Sequence, residues 1–214
     1  MRTAIFRPMR ILPGTDPLPV AVLCLISIFW GATGCRAPEP IFVKEGKKAD
    51  FEAAWGEGRN RWRKSQQGED ETYFYWRNRQ SMSGIIQMTG VQIVEGRPAA
   101  RYYKMLKRGS AGVSVVRAWR EEGVRIGQER AGFPALSMTD LYEACRRKNL
   151  PVDLTTHRLQ LKIGPRGVLL ACFAAHRRCM DDCGENFGVN GILYGRLSAA
   201  DGKKFLTFPG TRWE

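Results

Sequence analysis

The sequence contains few residues of the kinds that most hydrolase active sites use. Only two of its 214 residues are histidines, and no serine stands in the Gly-x-Ser-x-Gly pattern of a nucleophile elbow. Acidic residues are also scarce, with 21 Asp and Glu against 34 Lys and Arg. These shortages leave hydrolase chemistry without support and predict a protein with a strong positive field.

A long apolar run is missing as well. The strongest run covers eleven residues, 20–30, whereas a membrane-spanning helix takes about 20 apolar residues. Three arginines precede this run, and the small residues 31–34 lead from it to Cys35. This order is that of a secretory signal. The segment Ala-Thr-Gly-Cys at 32–35 also resembles the bacterial lipoprotein signal, whose cysteine is lipidated before cleavage.

Three interpretations of the N-terminal segment stay open: a lipoprotein signal, an uncleaved membrane anchor and an ordinary cleaved signal. The first is preferred because the apolar run is short and is flanked by prolines and glycines. It predicts a signal peptide at 1–34, a tether at 35–47 and one domain at 48–214. Translation would start at Met1 or at Met9.

The predicted location is the cell envelope, with the lipid on Cys35 in the outer side of the cytoplasmic membrane or in the outer membrane. Removal of residues 1–34 leaves 31 Lys and Arg against 20 Asp and Glu, so the mature chain stays basic. Its expected partners are the membrane, through the lipid, and an anionic envelope polymer or another envelope protein.

Basic residues interleaved with tryptophan are typical of nucleic-acid binding. Here they are Arg59, Arg61, Arg63 and Lys64 around Trp62. Because an exported protein faces anionic lipids and polymers instead, no nucleic-acid partner is predicted. The simplest interpretation is the solvated face of a helix.

Four cysteines remain in the mature domain once Cys24 is removed with the signal and Cys35 is lipidated. They are Cys145, Cys172, Cys179 and Cys183. An even number in an oxidising compartment predicts two disulfides, for which three connectivities are possible. The preferred pairing joins Cys179 to Cys183, closing a loop, and Cys145 to Cys172, tying a helix to a strand.

The same region allows an alternative, an exported thiol/disulfide or zinc-dependent enzyme. Its candidate residues are Cys172, His176, Cys179 and Cys183, which supply three thiols and an imidazole. Two flanking arginines, Arg177 and Arg178, could lower a thiol pKa. Disulfides remain the preferred interpretation, and no metal or other cofactor is predicted.

An acidic stretch beside these cysteines could supply oxygen ligands to calcium. It comprises Asp181, Asp182, Glu185 and Asn186, which lack the alternating spacing of a calcium loop. A solvated turn is the preferred interpretation.

Local patterns predict most of the secondary structure. Apolar residues at helical spacing follow Asp50 and predict a first helix at 48–66, which Gly56 and Gly58 should weaken. The β-branched and aromatic segments 72–76, 84–95 and 99–103 predict strands, and Glu95-Gly96 predicts a hairpin turn. Ser137 and Asp140 have the spacing of a capping box and predict a second helix, ending near Lys148.

The remaining segments predict a second hairpin and a last strand. Residues 154–163 and 168–173 alternate around a glycine turn at 164–167, a strand follows at 191–197, and Asp201-Gly202 predicts a polar turn. Residues 104–132 are interpreted as an extended loop or an extra hairpin. The predicted fold is α+β, an antiparallel sheet packed against two helices in the order helix, hairpin, helix, hairpin, strand.

This order resembles an uncharacterised bacterial domain family of small secreted proteins and lipoproteins. The resemblance covers about residues 48–197 and rests on the strand-turn-strand, the helix opening Ser-Met-Thr-Asp-Leu-Tyr and the Gly-Pro-Arg-Gly hairpin. It implies the same fold and compartment and lends no activity. The expected function is therefore that of a lipid-anchored, non-enzymatic binding or interaction module.

Overall fold

The structure, a computed structural model, describes residues 38–67, 70–179 and 184–210. The chain divides into two compact units, Met1–Ala37 and Pro38–Glu214, and the described residues all belong to the second. The predicted signal peptide and Cys35 lie outside them. Within the described ranges, no helix is both long and apolar enough to cross a membrane.

The described residues form an α+β fold with two antiparallel sheets and three α-helices, and more of them lie in strands than in helices. The strands are β1 Ile41–Val43, β2 Tyr73–Gln80, β3 Ile85–Val94, β4 Arg97–Gly109, β5 Gly112–Glu122, β6 His157–Ile163, β7 Leu169–His176 and β8 Gly191–Tyr194. The helices are α1 Lys48–Ser65, α2 Met138–Lys148 and α3 Ala199–Thr207.

The large sheet has the strand order β5-β4-β3-β2-β8. Strands β2 to β5 follow one another as an antiparallel meander, and β8 pairs with β2. The predicted turn at Glu95-Gly96 joins β3 to β4. Both residues have a positive φ, 51° and 73°, which suits a two-residue hairpin turn.

Both faces of the large sheet are buried at the first half of β2, which explains the unbroken aromatic run of that strand. Tyr73 and Tyr75 face one core, while Phe74 and Trp76 face the other. Successive side chains of a strand point to opposite faces, so such a run is stable only where both faces are covered. On the second face the cover is α3, whose Phe205 is fully buried in edge-to-face contact with Phe74.

The small sheet has the order β1-β6-β7 and packs on the first core together with α1 and α2. The predicted capping box starts α2, since the Asp140 N–H donates to Ser137 Oγ over 3.1 Å. The predicted disulfide between Cys145 and Cys172 is confirmed, and it ties α2 to β7 with a Cα separation of 5.9 Å.

In α1, Gly58 has a packing role. A Cβ atom there would lie 2.7 Å from the Tyr142 hydroxyl and 2.3 Å from a methyl group of Ile163. The glycine expected to weaken the helix therefore lets α1 approach α2 and β6 closely.

Three sequence predictions are wrong in detail. The single sheet is two sheets, because the hairpin β6–β7 pairs with β1 and not with the meander. The predicted tether contains β1. The polar turn at Asp201-Gly202 is part of α3, which Ser198 caps by accepting from the Asp201 N–H over 3.1 Å.

The predicted order of helices and hairpins is not confirmed either, since β1 precedes α1 and α3 follows β8. Residues 104–132 form an extra hairpin, one of the two predicted possibilities: β4 runs on to Gly109 and β5 returns from Gly112 to Glu122.

Candidate functional site

The predicted cysteine and histidine cluster does not form a thiolate site. Cys172 is fully buried in its disulfide with Cys145, and Cys179 is also disulfide-bonded. Cys183, the predicted partner of Cys179, lies outside the described residues. Zinc binds deprotonated thiols, and a cysteine in a disulfide has none. Two of the four proposed ligands, Cys172 and Cys179, are therefore not zinc ligands in this oxidised state.

His176 meets the other histidine of the chain instead. His157 and His176 are directly paired across β6 and β7, and their ring centroids lie 5.2 Å apart in an edge-to-face arrangement. The backbone N–H of Arg178 donates to His176 Nδ1 over 3.2 Å. A neutral imidazole that accepts at Nδ1 carries its proton on Nε2, so the hydrogen-bond donor of a neutral His176 is Nε2–H.

The tryptophan of the predicted basic patch on α1 is not exposed for stacking on a base. Trp62 is only 2% exposed and packs edge-to-face on Tyr73 in the core. Arg59 pairs with Glu143 over 3.0 Å, and Arg61 pairs with Glu57. Much of the predicted patch is therefore engaged by the protein itself.

The acidic stretch is structural in the part that is described. Glu185 pairs with Lys148 over 2.8 Å, and Asn186 Oδ1 accepts from the Cys172 and Gly188 N–H groups over 3.1 and 2.9 Å. Asp181 and Asp182 lie outside the described residues. Over the described ranges, no group of three or more His, Cys, Asp or Glu is placed to hold a metal ion.

A cleft of about 510 Å³ opens beside His157, between the small sheet and the start of α1. This volume lies within the range of about 300–1,000 Å³ that is typical of ligand sites. The lining combines cationic, apolar and other polar residues. They are Lys44, Glu45, Gly46, Phe51, Leu154, His157, Arg158, Leu159, Gln160, Phe173 and Arg177.

The cleft exists because β1 is shorter than β6. β1 ends at Val43, opposite Leu161, so residues 157–160 of β6 extend beyond it. The chain then turns through Gly46 and enters α1, whose first turn brings Phe51 to the cleft. Phe51 and Leu159 are almost completely buried and form part of an apolar floor.

The charged rim is partly fixed and partly unpaired. Arg177 donates from Nη2 to the Leu154 carbonyl over 3.0 Å, and its N–H donates to the Thr156 carbonyl over 2.7 Å. Lys44 and Arg158 are exposed and make no ion pair with any residue that the structure describes. Three cations and one carboxylate, Glu45, thus surround the opening.

A turn at the end of the cleft is held by Asp153. Its carboxylate accepts from Thr155 Oγ1 over 2.7 Å and from the Thr155 N–H over 2.8 Å. These hydrogen bonds, with a smaller contribution from His157, lower the pKa of Asp153. The carboxylate therefore stays ionised at neutral pH and is already satisfied by its own turn.

The large sheet carries both exposed and buried cations, and three of them, Arg77, Arg101 and Lys104, are buried. Arg101 and Glu121, 3% and 4% exposed, form an ion pair with Nε to Oε2 at 2.8 Å. Burial tends to raise the pKa of Glu121, but the N–H groups of Glu129 and Gly127, and then Arg101, lower it overall. Arg77 donates to the Asn186 carbonyl and lies 4.0 Å above the Phe133 ring.

Lys104 is the most unusual of these cations because it is fully buried with no carboxylate partner among the described residues. Its Nζ donates to the carbonyls of Phe208 and Gly210 over 2.8 and 3.2 Å, and it lies 4.8 Å from the Phe205 ring centroid. Burial lowers the pKa of Lys104 to about 8. The ammonium thereby joins the end of α3 to the large sheet.

No family model, no curated protein and no solved structure matches this chain. The resemblance to a family of secreted proteins and lipoproteins therefore stays a prediction.

Sequence reasoning singled out His176, Arg177 and their neighbours but missed the cleft itself. Its walls come from three separate stretches, 44–51, 154–160 and 173–177, and only the pairing of β1, β6 and β7 brings them together. The only sequence signal was the alternation of apolar and polar residues in β6, which predicted a strand. It did not predict that β1 leaves residues 157–160 of this strand unpaired on one side.

Proposed function

We propose that this protein is a lipid-anchored component of the bacterial cell envelope and acts as a non-enzymatic binding module. Its cleft would bind an anionic group of another envelope component, a polymer or a protein. The observation that carries the proposal is the cleft at the edge of the small sheet. There Lys44, Arg158 and Arg177 surround an apolar floor, and two of these cations have no ion-pair partner among the described residues.

Such a site favours a ligand with both an anionic group and an apolar part. Exposed cations attract anions over a range of about 8 Å at physiological salt, and arginine binds carboxylates and phosphates with paired hydrogen bonds. The floor of Phe51 and Leu159 supplies contact for apolar atoms, and Phe173 lines the cleft from the other face of the small sheet. A purely electrostatic surface would not need this floor.

The predicted anchor would keep the cleft close to the membrane. Five residues separate Cys35 from Ile41, where β1 begins, and the six Cα–Cα steps between them span at most about 20 Å. A ligand in the same envelope layer would then be met at a high local concentration.

The enzymatic alternative has less support because its sulfur atoms are engaged. Cys145 and Cys172 are both fully buried, and a partner thiol would have to reach a sulfur to exchange with it. Cys179 is half-buried and disulfide-bonded.

The anchor is tested by the variant Cys35→Ala in the native host. Mass spectrometry should find the wild-type chain starting at Cys35 with a diacylglyceryl group, and the variant without lipid and with its signal uncleaved. A wild-type chain without lipid, or a variant cleaved before residue 35 like the wild type, would contradict the lipid anchor.

The cleft is tested with anilinonaphthalene sulfonate, a fluorescent probe that is both anionic and aromatic. The wild-type protein should bind one probe molecule, and Arg158→Ala should weaken this binding about tenfold. Arg130→Ala, at an exposed arginine outside the cleft, is the matched control and should bind like the wild type. Equal affinities in all three proteins would contradict a cationic binding cleft.

A further inference from the structure

The cleft follows the uncovered edge of a β-strand. β1 pairs Ile41 with Ile163 and Val43 with Leu161. If the same register continued for two more residues, Glu45 would lie opposite Leu159 of β6. Glu45 is not part of a strand, because the chain turns here towards α1. Glu45 and Leu159, the two residues that a longer β1 would pair, both line the cleft.

The direction of the β6 backbone follows from two hydrogen bonds at its ends. The Thr156 carbonyl accepts from the Arg177 N–H over 2.7 Å, and the Gly164 N–H donates to the Val168 carbonyl over 2.8 Å, both on the β7 side. The peptide groups of successive strand residues point to opposite neighbours. In β6 the backbone N–H and C=O groups of the odd-numbered residues therefore point away from β7. The N–H and C=O groups of Leu159 accordingly face the cleft.

The other long edge of the fold is protected in a way that this one is not. The register of β5 against β4 shifts between Met105 and Leu106, which places a bulge at Val116. A bulge is a common device that prevents a sheet edge from pairing with another chain. The β6 edge has a regular register against β1, with a cleft beside it.

We propose that the cleft binds an extended, acidic peptide segment of another envelope protein, which adds a strand antiparallel to β6 in line with β1. This inference rests on the proposed function and names the ligand class. The added strand would exchange main-chain hydrogen bonds with Leu159, while its side chains meet the rim and the floor. Strand addition of this kind is a recurring mode of peptide recognition.

The register also gives the side-chain pattern of the ligand. Residues directly opposite each other in an antiparallel pair share a face of the sheet. The peptide residue opposite Leu159 would point towards the core side and should be apolar. The next residue lies opposite Arg158 and should be acidic, and the preceding one lies opposite Gln160 and should be polar. The expected core motif is polar, apolar, acidic.

The test uses the mature protein, purified with its anchor in detergent micelles and labelled for amide NMR. The probe is the peptide acetyl-Thr-Val-Glu-Ser-Ser-amide, whose first residue would lie opposite Gln160, next to the end of β1. The Leu159 amide resonance should shift on titration, and its hydrogen exchange should slow about tenfold at saturation. Methylating the valine nitrogen of the probe removes one main-chain hydrogen bond, and replacing its glutamate by lysine reverses the charge; each should weaken binding about tenfold.

Two outcomes would overturn strand addition and leave the proposed function standing. One is that the methylated peptide binds as tightly as its parent. The other is that the Leu159 amide does not respond while anilinonaphthalene sulfonate binds and is lost in Arg158→Ala, which would indicate a site for small anions only. If neither the peptide nor anilinonaphthalene sulfonate binds, the proposed function fails together with this inference.

Discussion

Two sets of cations, one buried in the large sheet and one exposed beside the small sheet, differ in their contacts. In the large sheet, Arg101 and Lys104 are buried, and their donors meet Glu121 or backbone carbonyl groups. Beside the small sheet, Lys44 and Arg158 are exposed and have no ion-pair partner among the described residues. Contacts within the fold account for the first pair, whereas we propose that the second pair binds a ligand. The net positive charge thus comprises buried structural cations and exposed cations, and only the exposed ones indicate a binding partner.

The largest effect is expected at the buried ion pair. Arg101→Met leaves the carboxylate of Glu121 buried without its cation, which should lower the free energy of unfolding by about 3–5 kcal/mol. Urea denaturation measures this loss. The double variant Arg101→Met, Glu121→Gln removes both charges and should recover much of it. An equal loss in the two variants would show that the charge of Glu121 is not the cause.

The disulfide should come next. Cys145→Ala with Cys172→Ala removes the covalent link between α2 and β7, which closes a sequence separation of 27 residues. The expected loss in the free energy of unfolding is about 2–4 kcal/mol, measured by thermal or urea denaturation. A variant as stable as the wild type would mean that packing alone holds α2 on the small sheet.

Lys104 should give a smaller, pH-dependent effect. Its pKa is about 8 in the folded protein, against 10.5 for a freely solvated lysine, so between these values the unfolded chain holds more protons. Stability should therefore rise with pH from about 8 to 10. Three buried tyrosines make stability fall with rising pH, but only above pH 10, because burial raises their pKa values above the usual value of a tyrosine. They are Tyr73, Tyr75 and Tyr142.

The comparison for Lys104 is the variant Lys104→Met. Its free energy of unfolding, measured by urea denaturation at several pH values, should lack the rise between about pH 8 and 10. The same slope in the wild type and the variant would assign the rise to another group.

The smallest effect on stability is expected at the cleft. Lys44→Ala and Arg158→Ala remove exposed side chains that no described residue pairs with, so each should change the free energy of unfolding by at most about 0.5 kcal/mol. Urea denaturation of both variants measures this. A loss of about 2 kcal/mol or more would make these cations structural, like those of the large sheet.

The sequence was sufficient for elements whose signals are local. The helix cap at Ser137, the turn at Glu95-Gly96 and the glycine turn between β6 and β7 each depend on neighbouring residues, and the structure has all three. The pairing of Cys145 with Cys172 was also predicted, from the helix and strand on which they lie.

Elements that depend on distant contacts were missed. Residues 41–43 form a strand only because β6 pairs with them. Gly202 indicated a turn, but it lies buried against Tyr102, inside a helix that covers the aromatic face of the large sheet. The cleft is the extreme case, since Lys44 and Arg158 are more than one hundred residues apart and share no local pattern.

The central claim is that the exposed cations of the cleft bind a ligand and do not stabilise the fold. It is tested most directly by measuring two quantities in Arg158→Lys and Arg158→Glu: the affinity for anilinonaphthalene sulfonate by calorimetry, and the free energy of unfolding. The expected result is binding retained by the lysine variant and lost by the glutamate variant, with unfolding free energies equal to wild type within about 0.5 kcal/mol. Unchanged affinity in Arg158→Glu, or a loss of stability that parallels the loss of binding, would contradict the claim.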